Sequence, residues 1–150
     1  MTAALSPDLV RERLASIVGA KHVLTDAHTV EPYLKEPRGL YLGATPCVVE
    51  PKTTAEVAAI LAFANENDLK IVPQGGNTGL VGGQIPSAAG DEIVLSLRRM
   101  DAIREVDPIS DTLTVEAGVT LLRAQEAAEG VGRLFPLSLA AEGSCTIGGN

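Results

Sequence analysis

The sequence predicts a mixed α/β fold, α+β in class, built on a small parallel sheet with a second unit begun after it. Three observations carry that expectation. A strand, a helix and a second strand follow one another between Cys47 and Pro73. A continuous apolar strand, Ile93–Leu97, reads as buried on both faces, as central parallel strands are. Between them runs a glycine-rich loop at the carboxyl end of a strand, where open α/β sheets place their ligands.

The elements are expected in this order. Ser6 is a good N-cap, Pro7 suits the first helical position and Asp8 suits the positive end of the helix dipole. Leu9, Leu14, Ile17 and Val18 form an apolar stripe, and Gly19 ends the helix. A short helix is expected near Val30–Leu34, then an extended passage punctuated by Pro37, Gly39, Gly43 and Pro46. Cys47–Glu50 reads as a strand, with Cys47 as a small core residue. Thr53 and Glu56 have capping-box spacing, and Val57, Ile60, Leu61 and Ala64 recur at helical intervals. Lys70–Pro73 is the next strand, and the three pieces suggest a right-handed βαβ unit. Beyond Ile93–Leu97, Ile103–Val106 and Thr112–Glu116 read as an antiparallel pair turning at Asp107-Pro108. A helix from about Thr120 to Glu129 ends at Gly130, and Phe135–Asn150 shows no period.

Composition narrows the function. Among 150 residues, apolar types make up 45% and charged types 21%, enough for one domain with a core of aliphatic side chains. The net charge of −7, with Lys and Arg scattered, argues against a nucleic-acid partner. No apolar run approaches the ~20 residues of a membrane helix. The stretch Met1–Asp8 lacks a basic region followed by an apolar one, so no secretory signal is expected. Cys47 and Cys145 have no metal-ligand spacing, and a reduced, cytoplasmic setting is expected. His22 and His28 are expected on solvated surface. Arg38 is expected either to touch substrate or to sit in a surface ion pair.

The segment Pro73–Gly83 is the most informative. Five of the nine residues from Gly75 to Gly83 are glycine, a density that costs backbone entropy. One use is close approach of the backbone to a ligand, with successive N–H groups turned to an anion; the other is a structural glycine-rich turn. The loop lacks the Gly-Lys-Ser/Thr of a nucleotide-triphosphate loop. Gly82–Pro86 breaks the chain where a Rossmann fingerprint would run into a helix. A second small, neutral, glycine-rich segment spans Ser138–Asn150. The two could embrace one long ligand from two sides, the alternative being a long surface loop.

Together these residues resemble the flavin-binding domain of the vanillyl-alcohol-oxidase family. The resemblance runs from Pro51–Thr54 through Pro73–Gly83 and Glu116–Val119 to Gly143–Asn150. Its nearer match is the D-2-hydroxyglutarate and D-lactate dehydrogenase branch, which Glu36–Tyr41 also fits. The resemblance implies a nucleotide-binding flavoprotein whose domain holds FAD between two subdomains. Residues 1–46 would be an N-terminal helical and extended segment, 47–106 the first α/β subdomain and 107–150 the start of the second. It implies FAD-binding residues at Pro73, Gly75, Gly76, Asn77, Thr78, Gly79, Leu80, Gly118, Gly143, Ser144, Cys145, Gly148, Gly149 and Asn150. Asn77 stands where some relatives have a flavin-linking His, and Ser144 where some have a linking Cys, so FAD is expected to be non-covalent.

The implied activity is that of an oxidoreductase: hydride transfer from a D-2-hydroxy acid to FAD, with an electron-transfer flavoprotein or a quinone as acceptor and a homodimer as assembly. A glycolate-oxidase-type subunit and a non-catalytic fragment holding no cofactor are the alternatives. The family's catalytic residues, metal ligands and substrate cap are expected beyond residue 150. No catalytic residue or metal ligand is therefore assigned, and this stretch alone is expected to be inactive.

Overall fold

The structure is a computed structural model that describes residues 5–150. The start of the stretch read for a targeting signal, residues 1–4, lies outside the described residues. Helix α1 (Pro7–Val18) begins as expected, with the Ser6 hydroxyl accepting from the Leu9 N–H at 3.3 Å, and Gly19 closes it at φ +88°. Its buried stripe is Val10, Leu14 and Val18, whereas Leu9 is exposed. Residues at i, i+4 and i+8 stay within one narrow arc, and Leu9 lies about 140° from Leu14 around the axis, so both cannot face the sheet.

A 3-10 turn (Ala20–His22) leads to strand β1 (Val23–Leu24), which pairs antiparallel with β2 (Val48–Val49). Helix α2 covers Ala27–Val30 and continues as a 3-10 turn over Glu31–Tyr33. It starts before the expected Val30–Leu34 because Asp26 caps it, accepting from the N–H groups of His28 and Thr29.

Helix α3 (Thr54–Glu66) is capped by Thr53, whose hydroxyl accepts from Glu56, while the Glu56 carboxylate reaches back to the Lys52 N–H. Strands β3 (Lys70–Gln74) and β4 (Glu92–Ser96) complete a four-stranded sheet in the order β1-β2-β4-β3. Both β2 and β3 run parallel to β4. The strand–helix–strand unit is thus parallel as expected, but β4 is inserted between its two strands. Burial explains the order. Four of the five residues of β4 are buried, so it takes the centre. Strand β3 carries exposed Lys70 and Pro73 and takes the edge, where a residue without an N–H is tolerated.

The sheet is covered on both faces. Ile93 and Leu95 pack with Leu14, Val49 and Ile60 beneath α1 and α3. Val94 packs on the other face with Val30, Tyr33 and Val48. Within α3 the inward residues are Ile60, Phe63 and Ala64, while Leu61, expected inside, is 45% exposed.

Strands β5 (Ile103–Asp107) and β6 (Thr112–Val115) form a separate antiparallel pair. The Asp107 carboxylate accepts the N–H groups of Ile109 and Ser110 and shapes the turn. A boundary at 106/107 would pass through β5, so the break between the sheets lies earlier, after Ser96. Helix α4 (Leu121–Glu129) is capped by Thr120 and buries Leu121, Ala124 and Ala128. The final segment is mostly irregular but ends in a 3-10 turn, Ile147–Gly149. It is laced to the β6–α4 connection: Leu121 donates to the Cys145 carbonyl, Ile147 to Val119 and Gly148 to Ala117, at 3.0, 2.8 and 2.9 Å.

Candidate functional site

The carboxyl end of β3 delivers the chain at Gln74 into the glycine-rich loop. Gln74 is buried, and its amide donates to the carbonyls of Tyr33 and Gln84, both at 2.9 Å. Gln84 clamps the far side, donating to Gly79 O at 2.7 Å and to Asn77 Oδ1 at 3.1 Å. Asn77 has φ +56°, a conformation that Asn tolerates better than most residues. Its amide donates to the carbonyls of Pro32 and Lys35, both at 2.9 Å.

The glycines serve mainly a purpose that the sequence reading did not foresee. A Cβ on Gly76 would lie 1.9 Å from the Ser144 carbonyl oxygen, and one on Gly75 would lie 2.2 Å from Thr146 Oγ1. The two glycine-rich segments therefore rest directly on each other. Gly79 makes room for the Gln84 amide, and Gly82, at φ +80°, lies against the Tyr41 ring. Gly83 meets nothing.

A small concavity of about 80 Å³ opens beside this contact. Gly75, Gly76, Asn77, Thr78 and Gly79 line one side, with Thr146, Gly149 and Asn150 on the other and Gln84 at the rim. No backbone N–H from Gly75 to Gly79 donates to a protein acceptor among the described residues. The Thr146 hydroxyl is buried and has no partner among the described residues. Among the described residues, no charged side chain lines the concavity. Consecutive free N–H groups, an orphaned hydroxyl and no competing carboxylate form a donor set suited to a phosphate held by backbone. The residues present thus fit the pyrophosphate of a dinucleotide.

Gly76 and Thr146 also border a second, wider concavity of about 400 Å³. Gly118, Gly143 and Ser144 line it, together with Arg98, Asp101 and Arg123. A hydrogen bond from Lys52, at 2.8 Å, holds the Asp101 carboxyl below its ordinary value, and Arg123 at 3.5 Å adds to the effect. Pro73, Leu80, Cys145 and Gly148 line neither concavity. Pro73 belongs to the β3 ladder, Cys145 is buried, and Gly148 packs on Ala117. The sequence reading passed over Gln84, Arg98, Arg123 and Thr146. A larger concavity, about 470 Å³, lies elsewhere, between the β5–β6 hairpin and Val131–Pro136. Its lining is mainly apolar and, among the described residues, brings together no comparable set of donors.

Other residues took different places from those expected. His22 is not on solvated surface; it is half-buried, with Nδ1 3.9 Å from the Glu50 carboxylate, because the β1–β2 pairing brings the two together. His28 is exposed. Arg38 pairs with Glu36 at 3.8 Å and donates to the Leu80 carbonyl, so it ties the extended passage to the glycine-rich loop. Cys47 is fully buried, and burial pushes its thiol up to about 11.

Glu36 is the anchor of that passage, at 1% exposure. Burial works against its charge, but the N–H groups of Arg38, Leu40 and Tyr41 and the Arg38 guanidinium outweigh it, and its carboxyl is held below the ordinary value. A lowered folded-state value means stability that is fully present above the unfolded carboxylate value and is lost as pH falls below it and through the lowered folded-state value. Glu36→Gln is therefore expected to lower the urea midpoint at neutral pH, and the gap to wild type should close on acidification. A gap independent of pH would show that the charge contributes nothing.

Residues 45–150 match the family described as "FAD binding domain". A D-2-hydroxyglutarate dehydrogenase, mitochondrial, from Arabidopsis thaliana is 39% identical over 134 residues, 89% of this chain and 24% of the relative. The protein of the same name from Danio rerio is 45% identical over 108 residues, 72% of this chain and 20% of the relative. The chain thus spans about a quarter of the length of such relatives. Among solved structures, alkyldihydroxyacetonephosphate synthase superposes with a TM-score of 0.83 at 21% identity, covering 97% of this chain and 28% of that one, a likeness of fold.

Proposed function

The chain belongs to the FAD-binding domain family, and from that premise we propose that the whole protein oxidises a D-2-hydroxy acid, of the D-2-hydroxyglutarate or D-lactate type, at its α-carbon. The observation that carries the cofactor half of this reading is the run of N–H groups from Gly75 to Gly79 without protein acceptors among the described residues, in a concavity that Thr146 also lines. The names of the relatives carry the substrate half. When bound, FAD supplies the two-electron acceptor for the hydride.

The chain's own residues bind and orient. Gly75–Gly79 would hold the pyrophosphate through backbone donors, and Gln84 and Asn77 keep that backbone in shape. Gly149 and Asn150 would close the same pocket. Gly118, Gly143 and Ser144 would border the cofactor on the wider side. Pro73, Leu80, Cys145 and Gly148 would act at one remove, by shaping the segments that touch it. We divide the domain into a first subdomain from residue 47 and a second begun with β5, with the boundary ahead of Ile103 rather than at 106/107.

An electron-transfer flavoprotein or a quinone is the proposed acceptor, and a homodimer the proposed assembly. No helix among the described residues is long and apolar enough to cross a membrane. Two free, buried cysteines support a reducing, cytoplasmic setting. The two named relatives are mitochondrial, and cell fractionation distinguishes the locations.

The test is anaerobic mixing of the purified whole protein with D-2-hydroxyglutarate, D-lactate and their L-enantiomers. Bleaching of the flavin's visible bands by a D-acid alone is expected. A flavin that no D-2-hydroxy acid reduces would overturn the substrate assignment.

The cofactor is proposed to be non-covalent. An amide such as that of Asn77 is a negligible nucleophile, and here it is engaged with two carbonyls. Ser144 offers a hydroxyl that stays protonated near neutral pH. Cys145, the neighbouring thiol, is only 3% exposed. After acid precipitation all flavin should remain in the supernatant, and the polypeptide should have its unmodified mass. A mass heavier by one FAD, with the adduct on Cys145, would refute this.

A further inference from the structure

We propose that Arg98 is a positioning residue of the phosphate cradle, holding the carbonyls of Gly75 and Gly76 so that the N–H groups that follow them face the concavity. The inference rests on the FAD-binding reading above and adds a residue from outside the glycine-rich segments. Arg98 Nε donates to Gly75 O at 3.2 Å, and Nη2 donates to Gly76 O at 3.3 Å. One planar fork thus grips two successive carbonyls. In a trans peptide the C=O and the following N–H point in opposite directions, and no cis peptide occurs among the described residues. Fixing the Gly75 and Gly76 carbonyls on one side therefore turns the Gly76 and Asn77 N–H groups to the other.

Gly76 borders both concavities, and Asn77 only the smaller. Arg98 borders the wider one and not the smaller one, which Gly76 and Asn77 line. The guanidinium is not placed to take the phosphate itself. It stands behind the peptides, at their negative ends, so its charge reinforces dipoles whose positive ends face the pocket.

Arg98 is itself held in place. Its guanidinium carbon lies 5.3 Å from the centroid of the Tyr33 ring. Tyr33 is buried, and its hydroxyl donates to Glu50 at 2.9 Å. The backbone just before Arg98 is pinned where the Leu97 N–H donates to Gln74 O at 2.9 Å. Arg98 forms no salt bridge with a carboxylate among the described residues. Its donors are left for the two carbonyls.

The experiment uses the whole protein stripped of flavin, and reads the FAD dissociation constant by quenching of flavin fluorescence. Arg98→Met removes the fork and keeps the apolar stem. Arg98→Lys keeps the charge but has no planar fork. Far-UV circular dichroism and the thermal midpoint of each apoprotein report the fold. Both variants are expected to keep the wild-type midpoint and to weaken FAD binding roughly fivefold or more, less than buried charge-assisted hydrogen bonds give because Arg98 is exposed. At saturating FAD, the KM for the hydroxy acid should be unchanged.

Wild-type affinity in Arg98→Lys would show that charge alone suffices and would overturn the proposal. A fall in apoprotein midpoint that parallels the loss of binding would reduce Arg98 to a structural role and overturn it as well. If Arg98→Met does not fold, Arg98→Lys decides alone. A wild-type apoprotein that takes up no FAD would instead overturn the functional reading itself.

Discussion

The Gly76→Val variant is expected to purify without FAD. A Cβ at this position falls 1.9 Å from the Ser144 carbonyl oxygen and 2.8 Å from its carbon, so something must move. The tail cannot yield cheaply. The Ser144 and Cys145 N–H groups both donate to Ala141 O, at 2.8 and 2.7 Å, and the Cys145 carbonyl accepts from Leu121. The clash is relieved by parting the two glycine-rich segments, which opens the concavity between Thr78 and Thr146. Overpacking of this kind typically costs about 1–3 kcal/mol, and here it falls on the contact that shapes the pocket. Positive φ is not the reason: Gly76 is not among the residues in that region. Alanine should therefore act in the same direction. Gly83→Ala is the control, since its added Cβ meets nothing within 4 Å and its φ is not positive either. The measurement is flavin per polypeptide after gel filtration. Wild-type stoichiometry in a folded Gly76→Val protein would show that the loop–tail contact does not shape the cofactor site.

That reasoning also marks what was legible in the sequence. Helix starts were, because Ser6, Thr53 and Thr120 act on N–H groups only three residues away. The central strand was, because a run such as Ile93-Val94-Leu95 has few other places to go. The glycine-rich segments were visible as segments, but their use was not. Gly75 and Gly76 are small because Thr146 and Ser144 need the space, and that need arises about seventy residues away along the chain. Strand order was hidden for a similar reason. The insertion of β4 between β2 and β3 follows from competition for the buried centre, which no local period records. Strand β1, two residues long, falls below any periodic signal. Arg98 carried no motif because it acts on carbonyls rather than on side chains. Any residue type at 75 and 76 would have supplied those.

Ile60→Ala is expected to destabilise the protein by about 2–5 kcal/mol, while Leu61→Ala should stay within about 0.5 kcal/mol of wild type. The contrast tests how α3 is rotated about its axis. At about 100° per residue, Val57, Ile60, Leu61 and Ala64 span an arc of about 100° centred between Ile60 and Leu61. The buried set, Ile60, Phe63 and Ala64, spans an arc of the same width rotated by about 60°, which carries Leu61 outward. Phe63, about 160° around the axis from Leu61, draws the buried arc to the other side of Ile60. Its larger ring has more apolar surface to bury, and it lies at the α1–α3 contact with the Arg13 guanidinium 6.0 Å from its centroid. Ile60 is fully buried among Leu14, Val49 and Ile93, all of them on rigid elements, so the lost side chain leaves a cavity that cannot collapse. Leu61 at 45% exposure has little burial to lose. Urea unfolding of both variants, with the slope against denaturant checked for constancy, reads the two effects directly. Equal losses at the two positions would mean that α3 packs with its first-expected face inward and that the helix orientation described here is wrong.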